Sequence, residues 1–232
     1  MTILAHQHSK DSFEKYVKDY NFGTIPPTKI VIHHTAVPTK DQWKGRETLA
    51  GIRKHYESKG WPSGPHLFIA EDGIWTFTPM SEVGTHARAG NGSWIARSRP
   101  SWYSIGIEVV GNYDTGVWEG KTKDNVMSAL KVLMDTLGLK NEDLTFHRDW
   151  NPTHCPGLAI KKDWLLKELE VFGMHGQPEP SPWAKDGWEW ARELGLDLSI
   201  HPQQEVHAEW IFAILKKLND IRYAENSSNK SL

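Results

Sequence analysis

The apolar positions along this chain change period several times, and each change marks a different element. Over residues 9–20, Phe13, Tyr16, Val17 and Tyr20 fall at helical spacing behind Ser9 or Asp11 as a cap. Pro26-Pro27 ends that run, and the short β-branched segment KIVIHH (29–34) follows as a buried strand. Residues 46–59 return to helical spacing through Leu49, Ile52, Arg53 and Tyr56, stopped by Gly60. HLFIA (66–70) and IWTFT (74–78) are apolar runs joined by Glu71-Asp72-Gly73, a hairpin signal. SIGIEVV (104–110) reads as another strand. The clearest helix spans 123–137, with Val126, Leu130, Leu133 and Leu137 on one face and Gly138 placed to cap it. A short strand at 144–147 and a helix at 161–171 complete the series. Interleaved strands and helices predict an α/β fold: a mixed central β-sheet flanked by helices.

Two stretches break the pattern. Residues 81–102 are rich in Gly, Arg, Ser and Trp without a period, which predicts a long loop; loops of that length are usually functional or mobile. After Gly173 the proline-rich run GQPEPSP can neither continue a helix nor complete a sheet ladder. Beyond it, Trp183, Trp190, Ala191 and Leu194, then Val206, Trp210, Ala213, Ile214 and Leu218, trace two amphipathic helices. The expected organisation is a main domain over 1–173, a Pro-rich linker over 174–182, a small helical C-terminal module over 183–225 and a flexible tail over 226–232. A module of about 40 residues is marginal alone, so it docks on the main domain or self-associates. The oligomeric state stays open.

Bulk properties remove several function classes. The 232 residues are 38% apolar and 24% charged, enough for a sizeable core. A formal net charge of −2 gives no basic excess, so a nucleic-acid partner is not expected. No segment approaches the ~20 apolar residues of a membrane span. The first twenty residues carry Lys10, Asp11, Glu14, Lys15, Lys18 and Asp19 in place of an apolar run, so no secretory signal peptide is expected and synthesis in a cytoplasm is. The single cysteine, Cys155, excludes an intramolecular disulfide. Twelve tryptophans suit core packing and stacking on sugar faces alike.

The candidate chemistry gathers at strand ends: His33-His34, Glu108, His147 and Cys155. Two imidazoles and a thiolate around Zn²⁺ leave a fourth tetrahedral position for water, the open form of a catalytic site. Side chains alternate along a strand, so only one of His33 and His34 can face such an ion. A Cys–His nucleophilic pair is the chemical alternative, and a buried apolar cysteine the plain one. Glu108 lies among apolar residues, where an unpaired carboxylate is costly. It is either salt-bridged to an arginine such as Arg88 or Arg148, or an acid–base group.

IVIHHTA, SIGIEVVG and HRDWNPTHCPG, in this order, resemble the type 2 N-acetylmuramoyl-L-alanine amidases, a family that includes phage endolysin amidases and animal peptidoglycan recognition proteins. The resemblance covers about 29–172. It implies Zn²⁺ held by His33, His147 and Cys155 at the C-terminal edge of the sheet, beneath the 81–102 loop. It makes Glu108 the proton shuttle, and Thr153 a donor to the developing oxyanion. GTHARAGNGSW matches a groove-lining loop, so His86, Arg88, Asn91 and Trp94 are expected to meet the muramyl group and peptide carboxylates. Asp149 is expected to be structural. One departure matters: many relatives carry a catalytic tyrosine in a Gly-Tyr pair where this chain has Gly64-Pro65, leaving His66 or Glu108 to take its part. The implied substrate is bacterial peptidoglycan, cut at the lactyl–L-alanine amide, by a phage or prophage endolysin that reaches the wall after release from the host cytoplasm. A non-catalytic peptidoglycan-binding protein on the same fold would be expected to lack zinc ligands. A Cys155-dependent peptidase would need its thiol activated without metal. SPWAKDGWEWARELG resembles the tryptophan-bearing modules of some amidases, for wall targeting or for docking.

Overall fold

A two-residue period sorts the central strands into two unlike faces, and helices cover both. The structure, a computed structural model, describes residues 3–96 and 99–175. Its elements are β1 (His6–His8), α1 (Lys10–Lys18), β2 (Lys29–His34), α2 (Arg46–Ser58), β3 (Leu67–Ala70), β4 (Gly73–Thr76), β5 (Gly92–Ala96), β6 (Arg99–Val109), α3 (Gly120–Leu137), β7 (Leu144–Phe146) and α4 (Lys162–His175). The sheet runs in the order β1-β4-β3-β6-β2-β7, with β5 paired to β6. Strands β3, β6, β2 and β7 are mutually parallel, while β4, β1 and β5 pair antiparallel, so the sheet is mixed.

One face carries Ile30 and Ile32 of β2, Leu67 and Ile69 of β3, and Ile105, Ile107 and Val109 of β6. They join the larger core with Phe13 and Val17 of α1, Val126, Leu130 and Leu133 of α3, and Leu165 and Leu169 of α4. The opposite face packs Phe68, Trp75 and Phe77 against Leu49, Ile52 and Tyr56 of α2. Burial on this scale supplies roughly 1.5–3 kcal/mol per large apolar side chain, which is what holds the strands in register.

Local chemistry sets the ends. The Ser9 side chain accepts the Ser12 N–H at 3.2 Å and starts α1. Gly138 stops α3 in the left-handed conformation, φ 66°, its N–H returning to the Met134 carbonyl. Gly45 starts α2 at φ 54°, and a Cβ there would lie 2.7 Å from the Trp75 ring.

The expected 81–102 loop is only partly a loop. Arg88–Asn91 forms a 3-10 turn, Gly92–Ala96 is strand β5, and β6 begins at Arg99 rather than at 104. Trp94 and Ile95 of β5 are 53% and 65% exposed, so no apolar alternation announces the strand. Its ladder with β6 also shifts register twice. Helix α4 continues to His175. The linker beyond it, the helical module at 183–225 and the tail lie outside the described residues. Among the described residues no helix is long and apolar enough to cross a membrane.

Candidate metal centre and catalytic groove

Strands β2 and β6 are in register, with His33 opposite Glu108 and Phe68 of β3 opposite Glu108 on the other side. Alternation puts His33 on the α2 face of the sheet, at its C-terminal edge. His34 falls on the other face, where its Nδ1 accepts the Tyr113 N–H at 3.2 Å. The choice between the two histidines is thus made by the pleat.

The other two candidate ligands come from the segment after β7. His147 opens a 3-10 turn, His147–Asp149, and Cys155 follows it. Two anchors fold this segment back. Asp149 accepts the Phe146 N–H at 2.8 Å, a structural task. Arg148 stacks its guanidinium 4.5 Å from the Phe146 ring centre and donates to the carbonyls of Gly157, at 2.9 Å, and Ile160. The Arg148 N–H also binds the Cys155 carbonyl at 3.1 Å. Gly157 allows the return, since a Cβ there would strike the Tyr113 backbone at 2.3–2.4 Å. The sulfur is thereby delivered to the end of β2.

The result is a cluster. One ligand atom each from His33, His147 and Cys155 lies within 4.8 Å of the others. The Cys155 Sγ is 3.6 Å from His33 Nδ1 and accepts the His34 N–H at 3.4 Å. Zn–N and Zn–S bonds of about 2.1 and 2.3 Å at tetrahedral angles put N and S about 3.6 Å apart, so the spacing fits one shared ion. Burial pushes the Cys155 thiol up and the rings of His33 and His147 down. Burial alone therefore leaves a neutral thiol beside neutral imidazoles. A divalent cation reverses the first preference and suits the second. A raised thiol pKa is the opposite of what an activated cysteine nucleophile shows.

Glu108 sits beside this cluster, half-buried. Its Oε2 is buried without a hydrogen-bond partner, and no ion pair to Arg88 or Arg148 forms among the described residues. Desolvation raises its pKa to about 8. It lines a cavity of about 380 Å³ with Thr35, Val37, Pro38, Ile52, His55, Tyr56 and Phe68. A carboxyl that holds or releases a proton near neutrality, facing a cavity, is equipped for acid–base work. Tyr56, which helical spacing marks only as part of α2, shares this cavity, and its pKa is raised by burial first and by Glu108 second.

The remaining expected residues divide. Thr153 is half-buried; its Oγ1 accepts the Cys155 N–H at 3.2 Å, leaving the hydroxyl proton to donate. Arg88 is exposed beside His147, whose pKa its charge lowers, and Trp94 is exposed on β5. His66 does not reach the groove. It is fully buried, Nδ1 accepting the Gly106 N–H at 2.8 Å and Nε2 donating to the Glu82 carbonyl at 2.9 Å. With both nitrogens committed it cannot stand in for a tyrosine lost at Pro65. Asn91 uses its Oδ1 on the N–H groups of His86 and Ala87, at 2.9 and 2.5 Å, closing the 86–91 turn. His86 points inward, its Nδ1 3.0 Å from His33 Nε2.

A mixed sheet thus brings a histidine–histidine–cysteine cluster that could hold a metal ion next to a buried carboxyl. The family model described as N-acetylmuramoyl-L-alanine amidase matches residues 23–158, and the chain belongs to this family of peptidoglycan amidases. No curated protein matches it. Among solved structures it is similar to the N-acetylmuramoyl-L-alanine amidase LysC from Clostridium intestinale URNW. That likeness has 24% identity over 66% of this chain and 94% of that one, with a TM-score of 0.51, and it is a likeness of fold. The endolysin amidase LysCS from the same organism matches at 24% identity, over 66% and 92% of the two chains, TM-score 0.49. Drosophila PGRP-LB matches at 22%, over 61% and 81%, TM-score 0.45.

Proposed function

We propose that the chain is a zinc-dependent amidase that hydrolyses the amide between the lactyl group of peptidoglycan and the first L-alanine of the stem peptide. The observation that carries this reading is the convergence of His33, His147 and Cys155 within 4.8 Å, next to a buried Glu108 oxygen with no hydrogen-bond partner among the described residues. These three residues would hold Zn²⁺. When bound, the ion would supply Lewis-acid chemistry, polarising the amide carbonyl and acidifying water. Glu108 takes the proton of the attacking water as the new C–O bond forms, then returns it to the amine nitrogen as the C–N bond breaks. Thr153 donates its hydroxyl toward the carbonyl oxygen, where negative charge develops. Arg88 offers a bidentate grip on a stem-peptide carboxylate, and exposed Trp94 a flat face for sugar. An endolysin role, acting on the wall after release from a host cytoplasm, belongs to the same reading. Its support is the tryptophan-bearing segment 183–225, proposed as a wall-binding module.

The test is clearance of purified cell walls with and without a chelator, followed by zinc add-back, with sequencing of the N-termini released. Chelation is expected to stop clearance, zinc to restore it, and alanine to be the new N-terminus. Cys155→Ser should lose zinc and rate together. Chelator-resistant clearance that iodoacetamide abolishes would overturn the metal reading in favour of a thiol enzyme.

A further inference from the structure

We propose that His86 and Ser104 are positioning residues, forming a one-directional hydrogen-bond relay that fixes the tautomer of His33 and presents its Nδ1 lone pair to the metal. The relay has three links. Ser104 Oγ lies 2.5 Å from the Gly90 carbonyl, His86 Nε2 lies 3.4 Å from Ser104 Oγ, and His33 Nε2 lies 3.0 Å from His86 Nδ1. This inference rests on the metal reading above.

Its direction follows from the far end. A carbonyl can only accept, so the Ser104 hydroxyl spends its proton on Gly90. Ser104 Oγ then faces His86 with lone pairs and must accept from His86 Nε2–H. That leaves His86 Nδ1 without a proton, an acceptor for His33 Nε2–H. His33 Nδ1 is therefore the bare nitrogen, and it is this atom that stands 3.6 Å from the Cys155 sulfur. Reversing any link would set two lone pairs or two protons against each other in a buried place.

The surroundings are cut to hold this chain of bonds. A Cβ on Gly106 would lie 2.6 Å from the His86 ring, so the glycine in β6 is the seat of the ring. A Cβ on Gly90 would lie 2.7 Å from Trp150, so the turn bearing the accepting carbonyl sits flat against that indole. Asn91 closes the same turn through the His86 and Ala87 N–H groups. His66, the neighbouring ring at 5.9 Å, is saturated by Gly106 and Glu82 and cannot compete for His86. Ser104, Gly106 and Glu108 share one face of β6, so the strand that carries the carboxyl also carries the relay.

The experiment measures zinc affinity by chelator competition and the His33 tautomer by ¹⁵N NMR of the zinc-free chain. Wild type is expected to show His33 protonated on Nε2. His86→Phe, which keeps a ring on Gly106, should weaken zinc binding about 10–100-fold and Ser104→Ala about tenfold. Both should leave His33 as a tautomer mixture. Ser104→Ala removes one oxygen and is expected to fold even if His86→Phe does not. Zinc bound by wild type and by Ser104→Ala with equal affinity, or a wild-type His33 protonated on Nδ1, overturns the relay. A wild type that binds no zinc overturns the metal reading instead, and leaves the tautomer measurement to judge the relay by itself.

Discussion

Glu108 concentrates the chemistry of single residues. Its pKa of about 8 in the folded chain, against 4.5 when unfolded, means that between those values the folded carboxyl keeps a proton the unfolded one has lost. Stability of the zinc-free protein therefore falls as pH rises from about 4.5 to about 8. Glu108→Gln should remove that dependence and melt higher than wild type at pH 8, with little difference at pH 4. Thermal unfolding with chelator at both pH values checks it, and parallel curves for the two proteins would contradict it. The same substitution should keep zinc bound and lower turnover about 10²–10⁴-fold. An unchanged rate would remove Glu108 from the mechanism. The sequence exposed this residue because a carboxylate in SIGIEVV needs a reason. It did not expose the absence of an arginine partner, since that depends on where the side chains of Arg88 and Arg148 come to rest. Arg148 is committed to the carbonyls of its own segment.

At the scale of elements, the segment 147–160 has little regular structure, yet it brings two of the three candidate ligands, His147 and Cys155, to the end of β2. Arg148 is its anchor. Charge-assisted bonds of this kind contribute about 1.5–3 kcal/mol each, and a lysine cannot reproduce the fork that meets two carbonyls. Arg148→Ala should lower the melting temperature by several degrees and weaken zinc binding, and Arg148→Lys should rescue neither fully. Calorimetry with a zinc titration decides; wild-type values in Arg148→Ala would show that the segment holds itself. Strands β1 and β5 mark the limit of reading elements from sequence. His6–His8 and Gly92–Ala96 have no apolar alternation because their stability comes from backbone pairing to β4 and β6. By contrast α1, α2, α3 and α4 each present a face of Leu, Val, Phe or Ile at helical spacing, and periodicity found all four.

For the whole molecule, the division of labour between the sheet's two faces is the governing feature. One face is mainly apolar and buries the larger core; the other carries His33 of β2 and Ser104, Gly106 and Glu108 of β6, with Glu108 opposite His33 at the C-terminal ends of the strands. On the proposed reading, zinc held by His33, His147 and Cys155 would tie β2 to the 147–160 segment. At a free concentration 100 times Kd it should stabilise the fold by about 2.7 kcal/mol. For a chain of this size that is a rise of about 5–10 °C in melting temperature. Scanning calorimetry with and without zinc tests it, and no rise at saturating zinc would show that the native fold does not bind the ion in preference to the unfolded chain.

The sequence by itself determined the α/β class, the major helices and the strands at the centre of the sheet, because periods of 3.6 and 2 are local properties; family resemblance, and not spacing, singled out His33, His147 and Cys155, which the fold brings within 4.8 Å of one another. Tertiary structure decided what those residues face. It turned His34 away and His33 inward, committed His66 and Asn91 to backbone hydrogen bonds, and set His86 against the His33 ring. These outcomes depend on which atoms lie opposite across strands and turns many residues apart, and a hydrogen bond has no direction until its last acceptor is in place.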